Sequence, residues 1–236
     1  MIRVAAVGDV HVAPDARGSL RDAFAQLPDV ADVLLLAGDL TRMGTEDELQ
    51  VLIEELDGVD VPQLAVLGNH DHESDRASAL TKRLESAGVR VLEGDAEVVP
   101  INGTTLGVAG TKGFGGGFAG ACASDFGEPE MKAFVRHTRT LADDLRGALE
   151  SLDTDVRIAL THFAPVKDTL GAERPEIYPF LGSYLLGEAI DGVGADLAIH
   201  GHAHSGSEKG ITPGGVPVRN VALPVIKTAY AVYCVG

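Results

Sequence analysis

Five short apolar runs in this chain each lead within two residues to an acid, a histidine or an amide-bearing block, and that pattern limits the fold more than any other feature. IRVAAV (2–7) runs into Gly8-Asp9-Val10-His11, DVLLLA (32–37) into Gly38-Asp39, and QLAVL (63–67) into Gly68-Asn69-His70-Asp71. VRIAL (156–160) leads to Thr161-His162, and DLAI (196–199) to His200-Gly201-His202-Ala203-His204. Segments this short and this apolar suit strands buried on both faces. Helical patterns lie between them. Residues 45–56 open on Thr45 with Glu48 three places on, the signature of a capping box. Residues 75–87 and 128–150 also read as helices, the second with Pro129 in its first turn, and 182–191 is a shorter candidate. Alternating strands and helices predict a layered α/β fold. The stretches 89–110 and 207–235 read as strands without a helix, so the sheet is mixed or two sheets pack together.

The polar residues after the runs share a logic. Open α/β sheets bind ligands beyond the carboxyl ends of their strands, and Asp9, Asp39, Asn69, His162 and the 200–204 cluster stand there. Residues two apart on extended backbone point the same way. Asp9 and His11 are therefore expected to face one point, and His202 and His204 likewise. Carboxylate, amide and imidazole together suit Mn, Fe or Zn. So many donors exceed the needs of one ion, whereas two ions sharing a bridging carboxylate would use them. A lone Gly-Asp pair after a strand is ordinarily just a turn, so the weight rests on the ordered set. Seven of the eight histidines fall in or beside these blocks, and His137, in the long helix, reads as a surface residue.

Taken in order, Asp9-Val10-His11, Gly38-Asp39, Gly68-Asn69-His70-Asp71, His162 and Gly201-His202-Ala203-His204 resemble the five motif blocks of the calcineurin-like metallophosphoesterases. The resemblance implies an α/β four-layer αββα sandwich with two mixed sheets, and a centre of two divalent ions. It implies that Asp9, His11 and His204 hold one ion, that Asn69, His162 and His202 hold the other, and that Asp39 bridges them. His70 would stand by the leaving group as general acid or charge stabiliser, with Asp71 as its orienting partner. The implied reaction is phosphate-ester hydrolysis by in-line attack of a hydroxide bridging two ions, which lower the pKa of that water toward about 7. One departure narrows the family. The phosphoprotein phosphatase branch has a GDxxDRG context, and Gly38-Asp39-Leu40-Thr41-Arg42-Met43-Gly44 lacks its second aspartate. The chain is therefore more similar to the small bacterial-type phosphodiesterases and phosphatases. Phosphodiesters are the favoured substrates and a phosphomonoesterase or nucleotidase is the alternative. A scaffold that has lost catalysis is the distant third, opposed by the filling of every ligand position.

At 236 residues the chain suits one domain spanning 1–236, with active-site loops expected at 111–123 and 163–181. Arg42, Lys112 and Phe114 are the candidate substrate contacts. His72 is expected to begin the helix after the third block, and His200 to be a hydrogen-bonded support. Gly115–Gly120 matches G-x-G-x-x-G, but no helix opens after it and no acid-ended strand follows, so it reads as a flap and not as a nucleotide site. A net charge of −16 repels polyanions on average, which opposes nucleic acid as a partner and a nuclease as the function. No apolar run approaches the roughly 18–20 residues that cross a bilayer, and Asp9 and His11 interrupt any signal peptide. The expectation is a cytoplasmic enzyme acting on a small phosphate ester, with no membrane partner. Cys122 and Cys234 read as free thiols, which excludes a cysteine-rich zinc site.

Overall fold

The computed structural model describes all 236 residues. In chain order its strands are β1 (Ile2–Val7), β2 (Val33–Ala37), β3 (Gln63–Val66), β4 (Val89–Val91), β5 (Asp95–Ile101), β6 (Thr104–Thr111), β7 (Gly117–Phe118), β8 (Ala121–Cys122), β9 (Val156–Thr161), β10 (Leu197–His200), β11 (Lys209–Ile211), β12 (Pro217–Asn220) and β13 (Ala231–Val235). One sheet has the order β13-β1-β2-β3-β4, parallel except where β13 closes antiparallel on β1. The other has the order β11-β12-β10-β9-β6-β5, parallel at its centre and antiparallel at both edges. Strands β7 and β8 form a small hairpin.

Side-chain alternation along the strands builds the layers. On β1, Val4 and Ala6 face the second sheet, while Ala5 and Val7 face helices. The inter-sheet core joins Val33, Leu35, Leu64 and Val66 of the first sheet to Leu106, Val108, Ile158, Leu160 and Ile199 of the second. Leu35 is fully buried there, and its truncation to alanine should cost about 2–5 kcal/mol. Outside the first sheet lie helices Glu46–Leu56 and Ala77–Ser86, seated by Leu49, Leu52, Leu80 and Leu84. Outside the second lie Pro129–Glu150 and Tyr184–Val193, seated by Leu145, Leu149, Leu186 and Ile190. The result is the αββα sandwich.

Local chemistry sets the helix starts as the sequence predicts. Thr45 accepts a hydrogen bond from the Glu48 amide at 3.4 Å, and the Glu48 carboxylate accepts from the Thr45 amide at 3.3 Å. Pro129 is the first residue of its helix, where it has no amide hydrogen to lose. The stretch 207–235 is not wholly strand, because Leu223–Ile226 makes one helical turn. Four residues cannot display a helical period, so that turn has no sequence signal.

Strands β1, β2 and β3 of one sheet and β9 and β10 of the other end at a common rim. Bonds tie the sheets there: the Gly8 amide donates to the Val221 carbonyl at 2.9 Å, and the His162 ring donates through Nδ1 to the Ala37 carbonyl at 2.8 Å.

Candidate metal centre

The rim gathers the donors into one continuous cluster. Ligand atoms of Asp9, His11 and His204 lie within 4.8 Å of one another; so do those of His11, Asp39 and His70, and those of Asp39, His162 and His202. His11 and Asp39 are each shared by two groups. Asn69 joins the third, its Oδ1 standing 3.0 Å from His162 Nε2.

The donors do not converge because alternate residues of a strand point the same way, as the sequence reading supposes. Asp9, His11, Asp39 and His202 all have positive φ, at 56°, 42°, 50° and 68°. Left-handed backbone is costly for non-glycine residues and collects at functional sites. These four residues leave the strand ends through tight turns. The glycines before the ligands make room for these turns. A Cβ on Gly38 would stand 2.6 Å from His162 Nδ1, one on Gly68 would overlap the Asp39 carboxylate, and one on Gly201 would overlap the Asp9 carboxylate.

Hydrogen bonds fix which nitrogen of each ring faces the centre. A carbonyl only accepts, so His162 donates from Nδ1 to Ala37 and presents Nε2, 3.3 Å from Asp39 Oδ1. His202 donates from Nε2 to the Phe180 carbonyl at 3.0 Å and presents Nδ1. His70 donates from Nδ1 to the Arg42 carbonyl at 2.8 Å, leaving Nε2 on the site side, 3.9 Å from Asp39 Oδ2. His204 Nε2 stands 2.8 Å from Asp9 Oδ1.

The electrostatics are those of a buried anion–imidazole cluster. Burial pushes the His162 imidazole down, but the Asp39 carboxylate against it prevails and lifts it to about 9. Burial likewise pushes Asp39 up, and the neighbouring His162 overrides it, holding the carboxyl well below the usual range. His202 faces weaker compensation, and burial brings it down to about 4. Buried His11 Nε2 has no hydrogen-bond partner, which costs free energy unless something ligates it. An orphaned imidazole nitrogen beside two buried carboxylates is a donor set suited to divalent ions, so the residues fit the two-ion centre that the motif resemblance implies.

Several expectations need correction. Asp71 does not orient His70. Its buried carboxylate accepts from the amides of Leu40 (3.1 Å), Thr41 (2.8 Å) and Gly68 (2.8 Å) and from the Thr41 hydroxyl (2.6 Å), joining the turns after β2 and β3. The orienting partner of His70 is the backbone of Arg42. The Arg42 guanidinium pairs with Asp15 at 2.9 Å, at the exposed surface. His72 lies in a short turn (His70–His72) and not at a helix start, its Nε2 buried without a partner. Burial lowers the His72 pKa, and Lys112 and His137 act in the same direction. His200 is a support as expected: Nδ1 donates to the Gly201 carbonyl at 2.7 Å and Nε2 bonds the Thr169 hydroxyl at 2.8 Å, leaving no nitrogen for a metal. Burial lowers it to about 4.

Lys112 is buried, with Nζ 5.0 Å and 5.4 Å from the ring centres of Phe114 and Phe163. Desolvation lowers its pKa against the pull of Glu93 and Asp39. Phe114 lines a cavity that borders Asn69 and His202. His137 is exposed, yet its ring packs edge-on against Phe114 at 4.7 Å. The glycine-rich segment is not a free flap. The amides of Gly116 and Gly117 donate to Pro179 and Gly182, and Phe118 is buried against Tyr178 and Leu181. The sequence reading missed Phe134, Phe163 and Phe180 as neighbours of the site. They come from separate segments, and only the length of the 163–181 loop hinted at two of them. Both cysteines are free and exposed.

Solved structures share this architecture at low identity. The phosphopantetheinyl hydrolase of Mycobacterium tuberculosis superposes with a TM-score of 0.70 at 16% identity, covering 98% of this chain and 95% of that one. A hypothetical protein of Thermus thermophilus gives 0.55 at 18%, covering 93% and 75%. A putative 5'-nucleotidase of Staphylococcus aureus gives 0.57 at 15%, covering 93% of this chain and 48% of its own. These likenesses show the fold. No curated protein sequence matches the chain. The family profile described as calcineurin-like phosphoesterase matches residues 2–206, and with the five blocks assembled at one rim, this chain belongs to that family.

Proposed function

We propose that this chain is a dinuclear-metal phosphoesterase whose preferred substrates are small phosphodiesters. The observation that carries this is the continuous donor cluster, with Asp39 shared between its groups and His11 Nε2 buried and unpartnered. Asp9, His11 and His204 would hold one ion, Asn69, His162 and His202 the other, and Asp39 both. When bound, two such ions supply Lewis acidity toward phosphoryl oxygens and lower the pKa of a water between them. The chain's own residues do the rest. As water's oxygen bonds to phosphorus, the bond from phosphorus to the leaving oxygen breaks, and that oxygen needs a proton. His70, held by the Arg42 carbonyl through Nδ1, is positioned to give one from Nε2. With its Oδ1 toward His162, Asn69 keeps its amide NH₂ for a phosphoryl oxygen.

The preference for diesters rests on charge. A monoester brings an additional negative charge, and the guanidinium of Arg42, whose carbonyl holds His70, is turned away to Asp15. A monoesterase or nucleotidase is the second reading, supported by Lys112, whose charge interacts with Asp39. The whole chain is one catalytic unit in this proposal. Ligands come from both sheets, and the last strand pairs with the first, Val235 opposite Ile2. The net charge of −16 speaks against polyanionic partners, and no helix is long and apolar enough to cross a membrane. The test is a paired assay. Metal-stripped protein reloaded with Mn²⁺ is given bis(p-nitrophenyl) phosphate and p-nitrophenyl phosphate in parallel. Faster turnover of the diester is expected. Faster turnover of the monoester would transfer support to the second reading, and turnover of neither would defeat both.

A further inference from the structure

A run of aromatic rings leads from the metal centre to the surface. Phe163 lies 4.3 Å from the His202 ring, Phe114 lies 5.8 Å from Phe163, Phe134 lies 4.9 Å from Phe114, and Phe180 lies 6.3 Å from Phe134. They wall a cavity of about 430 Å³, completed by Ile177 and Leu181, whose inner end is Asn69 and His202. The volume is in the range of cavities that take small organic ligands.

Three features mark this cavity as a subsite and not a packing defect. Its outer wall leaves large apolar groups in water: Phe180 is 61% exposed and Ile177 39%, an arrangement that belongs to ligand grooves more than to closed cores. No lysine, arginine, aspartate or glutamate lines it, and the nearby Lys112 ammonium is spent on the Phe114 and Phe163 rings, so a charged arm would lose hydration there without an ion pair in the wall. Its position is also fixed relative to the chemistry, because the Phe180 carbonyl accepts the hydrogen bond that turns His202 toward the centre.

We infer that this cavity receives an uncharged, planar ring on the organic arm of the phosphate ester, and that Phe114, Phe134 and Phe180 set specificity by stacking on it. The inference rests on the phosphoesterase reading and adds the chemical class of the arm. Rings prefer offset or edge contacts with other rings, and these walls offer both.

The experiment compares phenylphosphonate with methylphosphonate, two non-hydrolysable anions that differ only in the arm. Binding to Mn²⁺-loaded protein is measured by calorimetry for the wild type and for Phe180→Ala and Phe134→Leu. Phe180 is exposed, so its truncation leaves the core intact, and leucine keeps an apolar side chain at 134 without the ring. Phenylphosphonate should bind at least about tenfold tighter to the wild type. In each variant the ratio of the two dissociation constants should fall to within about threefold. A wild-type ratio near one, or a ratio unchanged in both variants, overturns the subsite. If neither phosphonate binds and no phosphate ester is turned over, the phosphoesterase reading falls with it. Ester turnover together with a ratio near one removes the subsite alone.

Discussion

Two neighbouring residues of the third block, His70 and Asp71, do different work. His70 reaches the site with one nitrogen and is anchored by the other on the Arg42 carbonyl. Its loss removes a proton donor and leaves the proposed ligands standing. His70→Ala should lower kcat about 10²–10⁴-fold, with metal content by elemental analysis unchanged. A comparable loss of metal would show instead that His70 is itself a ligand, which its place with His11 and Asp39 allows. Asp71 accepts four hydrogen bonds inside the protein, none of them from His70, and does not line the cavity. In Asp71→Asn an amide NH₂ would confront donors that need an acceptor. That should destabilise the fold by about 2–4 kcal/mol, read as an earlier denaturation midpoint. If the variant instead kept wild-type stability and lost only turnover, the sequence expectation that Asp71 acts through His70 would be restored. Residue identity alone did not separate these roles. Both side chains suit acid–base chemistry, and only the return of the Arg42 backbone beside His70 distinguishes them.

At the scale of elements, what the sequence reveals is what local spacing encodes. Buried parallel strands need unbroken apolar residues, so β1, β2, β3, β9 and β10 stand out. The Thr45–Glu48 box marks a helix start because its bonds span only three residues. Contacts made between distant segments leave no such trace, which is why Phe114 was legible as a candidate contact while Phe134, Phe163 and Phe180, which complete its wall, were not. The ligand turns lie between these cases. Their residues were legible, but their left-handed backbone was not, although the glycines that accompany them are its consequence. That consequence is testable. A Cβ at Gly201 would overlap the Asp9 carboxylate, and Asp9 also accepts the His202 amide at 2.9 Å. Gly201→Ala should therefore displace Asp9 and lower the metal-to-protein ratio by about half, since one of two proposed ions depends on Asp9. At Gly147, where a Cβ meets nothing within 4 Å, alanine should leave the ratio at the wild-type value. Equal metal content in both variants would mean that the tight turn tolerates a side chain.

The whole molecule is two sheets closed on a charged cluster at one rim, and that placement gives metal-free protein a stability that depends on pH in both directions. His162 stands at about 9, above its ordinary 6.5. The folded chain holds that proton more tightly than the unfolded one, so this contribution is full below about 6.5 and is lost as pH rises through about 9. His200 and His202 stand at about 4, below the same ordinary value. The unfolded chain takes up protons there that the folded chain refuses, so stability falls as pH drops from about 6.5 to about 4. Asp39, held below the usual carboxylate range, adds to the acid-side loss. The two slopes meet, and the melting temperature of chelator-treated protein should peak near pH 6.5. Metal ligation requires neutral imidazoles, so bound ions replace the proton on His162 and gain affinity as pH rises. Melting curves with chelator and with Mn²⁺ should therefore coincide in acid and separate increasingly above about pH 6.5. A constant separation at every pH would mean that the ions do not compete with protons for this cluster, and the site would have to be sought elsewhere in the molecule.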